Sequence, residues 1–144
     1  MKKRLNGGKN ILIEMIKDNG EELAIIVYRG SFTEKVKFVT PESFPLQCGF
    51  LKYKKGEAAR PHTHPNIKRE ITQSQEVIHV EKGKIELKIF NSKGKLCATR
   101  ILNAGDSAFF ISGGRGWIAL KETEIIEIKQ GPYMGEKDKI LLEE

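Results

Sequence analysis

Gly56-Glu57-Ala58-Ala59-Arg60-Pro61-His62-Thr63-His64-Pro65 and, after a polar stretch, Gln75-Glu76-Val77-Ile78-His79-Val80-Glu81-Lys82-Gly83 decide how this chain reads. In an extended segment, residues two apart project from the same face. His62 and His64 therefore point into one space, and Pro61 and Pro65 stiffen the backbone on either side. Paired imidazoles are natural ligands for Zn, Fe, Ni, Mn or Cu. On the second segment Glu76, Ile78 and Val80 share a face, and Gln75, Val77, His79 and Glu81 share the other. The Ile78 and Val80 face reads as interior. A carboxylate there needs a metal, a cation or a donor network, which makes Glu76 the candidate third ligand. His79, on the opposite face, reads as a surface or inter-strand residue.

Outward from this stretch, strand signals dominate. Ile11 to Ile16 and Leu23 to Tyr28 flank Asp18-Asn19-Gly20, a hairpin turn. Val36 to Thr40 alternates until Pro41, and Leu46 to Lys54 reads as a strand closed by Lys55-Gly56. Gln75 to Glu81 and Lys84 to Phe90 flank the tight turn Lys82-Gly83. Leu96 to Leu102, Ala108 to Ile111, Trp117 to Leu120 and Glu124 to Lys129 complete the set. Short strands separated by Gly, Asn, Asp or Pro predict an all-β antiparallel sandwich or barrel. No stretch keeps a helical period over three turns. Pro41-Glu42-Ser43 is a candidate short helical turn, as is part of the tail. One domain over residues 1–144 is expected, with N-terminal strands in 10–28, a core in 36–134 and a C-terminal arm in 135–144.

The totals narrow the function classes. The 144 residues suit a single compact domain. No apolar run approaches a membrane span, and the basic start (Lys2, Lys3, Arg4, Lys9) is followed by no apolar signal region, so the cytoplasm is the expected compartment. The formal charge of +6 is spread through strands in which Lys alternates with Glu, as in Lys84-Ile85-Glu86-Leu87-Lys88. That is a solvated sheet face and argues against a nucleic-acid surface. Cys48 and Cys97 are far apart and form no CxxC pair, so reduced, structural cysteines are expected.

Gly56, His62, His64, Glu76 and Gly83 follow in order the first motif of the cupin superfamily: Gly, five residues, His-x-His, three or four residues, Glu, six residues, Gly. The interval from His64 to Glu76 is longer than in that form, and Asn66 to Ser74 reads as an expanded loop at a barrel mouth. Glu70 lies closer to His64, but no glycine follows it at the motif distance. Gly105-Asp106 and Gly113 resemble the second motif, with Ile111 in place of its proline. Its histidine is missing, and Arg115 stands close to that position. Ser74-Gln75-Glu76-Val77 and Lys129-Gln130-Gly131-Pro132-Tyr133 are similar to segments of a largely uncharacterised group of small bacterial cupins, some associated with surface-polysaccharide pathways. The resemblance implies a cupin-type antiparallel β-barrel, or jelly roll, and a homodimer.

Arg115 divides the functional expectations, because a guanidinium stays protonated and does not ligate metals. In the first, His62, His64 and Glu76 hold a divalent metal (Zn, Fe, Mn or Ni) for an oxygenase, isomerase or lyase acting on a small polar metabolite. In the second no metal is present and Arg115 pairs with Glu76. His62 and His64 then act as acid and base on a sugar nucleotide, with Arg115 and nearby lysines holding its phosphate. In the third the pocket binds a sugar or metabolite without turnover, or is a relic. Tyr53, Phe109, Phe110 and Trp117 are expected to line or fill the barrel, with Trp117 also able to stack on a sugar ring. Lys52 and Arg60 read as exposed, and Gln47 and Gln130 as interior amides. Gly113, Gly114 and Gly116 read as a tight turn.

Overall fold

The computed structural model describes residues 12–32 and 35–143. The basic start and the beginning of the first expected strand lie outside them. Ten strands follow in order: β1 (Ile13–Asp18), β2 (Glu21–Val27), β3 (Val36–Phe38), β4 (Gly49–Leu51), β5 (Glu76–Lys82), β6 (Lys84–Phe90), β7 (Leu96–Asn103), β8 (Ser107–Phe110), β9 (Gly114–Ala119) and β10 (Glu124–Lys129). A single 3-10 turn, Gly135–Asp138, lies in the tail. At Pro41 the expected helical opening is a plain turn, closed by Phe44 N–H donating to the Pro41 carbonyl.

The strands form three antiparallel sheets: β1-β2-β8-β5-β10, β7-β6-β9 and the hairpin β3-β4. Alternation dictates how they stack. In β6, Ile85, Leu87 and Ile89 are fully buried, while the residues between them, Glu86 and Lys88, are only partly covered. These three pack with Ile78 and Val80 of β5, Ala24 and Ile26 of β2 and Phe110 of β8, so the larger two sheets share one core. Burial of a side chain of this size contributes about 1.5–3 kcal/mol.

The five-stranded sheet is apolar on its outer face as well. Ile25, Val27 and Phe109 point away from the shared core and are covered by the segment running from β3 to β4. Phe50, Phe44 and Leu46 do the covering, and the Phe44 and Phe109 rings stack at 6.3 Å. Phe109 thus belongs to this outer layer, whereas Phe110 faces between the sheets. Asp106, in the turn between β7 and β8, clasps two strand ends. Its Oδ1 accepts from Arg29 N–H at 2.7 Å and its Oδ2 from Asn103 N–H at 2.8 Å.

The described strands do not close into a barrel. On one side, β1 and β7 are tied by Arg100, whose Nη2 donates to Glu14 Oε1 at 2.6 Å while Tyr28 Oη donates to Glu14 Oε2 at 3.0 Å. On the other side, β9 and β10 each end a sheet without a further neighbour among the described residues. The expected strand from Leu46 to Lys54 is confined to β4, and every residue from Leu51 to Ser74 is exposed. The reason is compositional. After Tyr53 this segment offers Lys, Gly, Ala, Arg and Pro, with no alternating apolar row to hold it on a sheet.

Candidate functional site

The open side between β9 and β10 is where polar groups enter the core. β9 pairs with β6 so that Arg115, Trp117 and Ala119 lie opposite Ile89, Leu87 and Ile85. Those three face the core, so the odd-numbered residues of β9 face it too. On β5 the register places Glu76 beside Phe110 of β8 and Lys129 of β10, again on the inward face. The parity expected for Glu76, Ile78 and Val80 is therefore realised, and all three are buried.

Arg115 and Glu76 meet across the space between the sheets. Arg115 Nη2 donates to Glu76 Oε2 at 2.5 Å, and the guanidinium sits 5.3 Å from the Phe110 ring centroid. Glu76 Oε1 is buried with no hydrogen-bond partner among the described residues. Two more orphaned polar atoms, Gln75 Nε2 and Gln130 Oε1, lie at the same end of the sheet but on its outer face, where Gln75 Oε1 accepts from Leu46 N–H and Gln130 N–H donates to the Gln75 carbonyl. An unpaired buried polar atom costs about 1–3 kcal/mol, so Glu76 Oε1 marks a place between the sheets that takes a polar guest. Lys129, the cross-strand neighbour of Glu76, is drawn elsewhere, to Asp138 at 3.4 Å and over the Tyr133 ring at 5.2 Å. Beyond Arg115 the inward row ends in exposed Trp117 and Ala119, and the inward Glu127 of β10 is exposed. The gap between the sheets is open there.

The two histidines are not at this mouth. His62 and His64 lie on the exposed arm, their ring centroids 5.1 Å apart and tilted edge to face. His62 Nδ1 bonds the Arg60 carbonyl at 2.8 Å, leaving Nε2 outward. Among the described residues no group of three or more His, Cys, Asp and Glu is placed to hold a metal. In the single chain the expected ligands His62, His64 and Glu76 are thus not assembled, and Glu76 already holds a cation. The structure does unite Arg115 with Glu76, the pairing foreseen for a metal-free site.

The other singled-out residues fall as follows. Tyr53 is exposed rather than interior, with Lys35 Nζ 6.0 Å from its ring centroid. Gln47 is also outside. It accepts from Thr40 Oγ1 and donates to the carbonyls of Pro41, Glu42 and Phe44, which organises the outer loop. Lys52 and Arg60 are exposed. His79 shares a 2.8 Å hydrogen bond with Ser107 Oγ on the outer face, matching its surface or inter-strand reading. Both cysteines are free thiols, and burial pushes the Cys48 thiol up from its ordinary pKa. Gly114 and Gly116 are in β9 rather than in a turn. Sequence reasoning missed an open cleft of about 840 Å³ between the outer loop and the arm base, lined by Phe44, Gln47, Arg69, Thr72 and Gln130. No local motif announces a cleft built from two irregular segments.

The fold and site together define an all-β protein of antiparallel sheets with a polar mouth on an apolar core. No family model, curated protein or solved structure matches the chain. Among the described residues no helix is long and apolar enough to cross a membrane.

Proposed function

We propose that this chain is a cupin-type jelly-roll protein that binds a small, hydroxyl-rich metabolite of the sugar class at the mouth between β9 and β10. One observation carries the reading. A buried carboxylate, fixed by Arg115 through one oxygen, keeps its other oxygen without a donor, two residues along β9 from a part-exposed inward Trp117. Glu76 Oε1 accepts from a ligand hydroxyl and Arg115 donates to a ring or phosphate oxygen. The indole covers an apolar sugar face. Trp117 is the chain's only tryptophan, so its fluorescence reports on the mouth directly. Titration with monosaccharides and nucleoside-diphosphate sugars is expected to shift that fluorescence, and Glu76→Gln to weaken the response. A panel without response in fluorescence and calorimetry removes the reading.

The adjacent His62 and His64 rings favour a second layer of function. With the arm docked at the mouth, the two imidazoles and Glu76 Oε1 make a two-histidine, one-carboxylate set. A divalent ion of the Zn, Fe, Mn or Ni group held there would polarise a ligand oxygen. Without an ion the imidazoles are acid and base to the bound ligand. Metal content of the purified protein beside a His62→Ala, His64→Ala double variant separates these. Stoichiometric metal lost in the variant supports the ion, and no uptake after loading removes it.

A further inference from the structure

Gln75 and Glu76 are neighbours in sequence and so face opposite ways. Glu76 looks into the mouth between the sheets, and Gln75 looks out from the five-stranded sheet. The register that sets Lys129 opposite Glu76 continues by one residue, since Gln130 N–H donates to the Gln75 carbonyl. Gln75 and Gln130 are therefore cross-strand partners on the outer face, with Cβ atoms about 5 Å apart. The next pair along that face is apolar, Val77 opposite Ile128. Two amides at its end are an exception, and Gln75 is fully buried. Its Oε1 accepts from Leu46 N–H at 3.2 Å, which fixes Nε2 as a donor, and that donor has no acceptor among the described residues. Gln130 Oε1 is an acceptor with no donor among them. The two atoms are complementary and belong to facing residues, yet they do not bond each other.

These amides lie against the cleft of about 840 Å³ between the outer loop and the arm base. Gln130 lines it directly. Leu46, which holds Gln75, sits between two of its wall residues, Pro45 and Gln47. The walls carry opposite charges. Glu42, on the outer loop, and Arg69, on the arm base, have no ion pair among the described residues, whereas Glu70 is taken by Lys68 at 3.3 Å. Phe44 and Ile71 add apolar surface on the two sides. A volume of this order is that of a small-molecule site.

We propose that this cleft binds a free dipeptide, at a site separate from the mouth and on the other face of the sheet. A turn of the half-buried Gln130 side chain brings its Oε1, and the Gln75 Nε2 beside it, to the guest. The peptide carbonyl then accepts from Gln75 Nε2 and the peptide N–H donates to Gln130 Oε1, so the guest supplies the acceptor and the donor that the chain lacks. The α-ammonium meets Glu42, and the α-carboxylate meets Arg69, whose guanidinium can hold it through two N–H groups. An apolar side chain of the dipeptide lies against Phe44 and Ile71. A free amino acid has both charges but no peptide group, and a simple amide has the peptide group but no charges. Nothing in this assignment depends on sugar or metal binding at the mouth.

Calorimetric titration of the full chain with alanyl-leucine and with leucyl-alanine tests the assignment. At least one is expected to bind in equimolar ratio with a Kd below about 1 mM. The corresponding dipeptide amide and N-acetyl dipeptide, each lacking one charge, are expected to bind about 10-fold or more weakly. Free leucine is expected to give no heat. Arg69→Gln should weaken the dipeptide by a similar factor and leave the dipeptide amide as it was, since that probe has no carboxylate to lose. Gln130→Met should weaken both, and Glu76→Gln should change neither, with circular dichroism unaltered by the Arg69 and Gln130 changes. The side-chain amide resonances of Gln75 should move in the NMR spectrum as the dipeptide is added. No binding of either dipeptide at millimolar concentration overturns the proposal, as does equal affinity for free leucine. Binding lost in Glu76→Gln but kept in Gln130→Met would place the dipeptide at the mouth and equally overturn it.

Discussion

Arg100 and Glu14 lock one side of the two packed sheets, and Arg115 and Glu76 lock the other, yet the two pairs are differently built. Arg100 meets Glu14 through Nε to both carboxylate oxygens and through Nη2, and Tyr28 adds a further donor. Arg115 meets Glu76 through Nη2 to Oε2 and leaves Oε1 unpaired. The first pair saturates its carboxylate. The second is left one hydrogen bond short, on the side where the sheets gape.

Glu76→Gln should expose that difference in urea unfolding. Removing the charge leaves Arg115 uncompensated, with its side chain 25% exposed. Partial access to water moderates the loss, so about 1–3 kcal/mol is expected, below the range for a fully buried pair. Glu76→Gln with Arg115→Met should recover most of it. A double variant no more stable than Glu76→Gln would mean that the pair is not what the single change breaks.

Asp106 predicts a larger effect from a residue outside the mouth. Its two oxygens hold backbone N–H groups from Arg29 and Asn103. Asp106→Ala strands both and is expected to cost about 2–4 kcal/mol, with Asp106→Asn intermediate because one acceptor survives. Thermal denaturation of the three proteins checks the order.

Gly83 turns β5 into β6 at φ 95°, and a Cβ there would collide with the Glu122 carbonyl and Thr123. Gly83→Ala is therefore expected to cost roughly 2 kcal/mol or more, because strain and collision act together. Gly20 also has positive φ, at 85°, but open space around it. Gly20→Ala should cost less, and calorimetry of both variants separates collision from strain.

Tyr28 makes alkaline stability measurable. Burial, with the Glu14 carboxylate beside it, raises its phenol well above the ordinary 10.0. The unfolded chain ionises near that ordinary value while the folded chain keeps the proton. The associated stability is fully present below about pH 10 and is lost as pH rises further, by up to about 1.4 kcal/mol per pH unit. Tyr28→Phe should flatten that alkaline limb relative to wild type. Parallel limbs from pH 10 to 11 would contradict the assignment.

Much of the fold was legible in particular residues. Ile85-Glu86-Leu87-Lys88-Ile89 alternates because one face must be dry, and β6 lies there. Asn19 and Gly20 adopt positive φ, at 47° and 85°, as a tight hairpin requires. Parity alone places Glu76 inward and His79 outward, as the strand registers have them. What alternation does not encode is where a segment docks. His62-Thr63-His64 shows which side chains are neighbours, and they are, but not which sheet edge the arm lies against. The sequence pattern starts a strand at Trp117 because Gly113-Gly114 looks like punctuation, whereas the strand begins at Gly114. Gly114 is instead a close approach, with the Leu142 side chain seated where a Cβ would go.

The order β1-β2-β8-β5-β10 also sets a timetable. β2 lies against β8, so Ala24 cannot meet Phe110 until most of the chain has been made. β5 likewise waits for β10, while β6 and β7 can zip as soon as Asn91 to Lys95 has turned. Loop closure of that span slows the search for native pairing. During synthesis the β1-β2 hairpin, with β2 apolar on both faces, stands without its neighbour while residues 28–106 are made. A newly made chain is therefore most vulnerable to aggregation just before Phe110 arrives, and from that residue onward it can begin to protect itself.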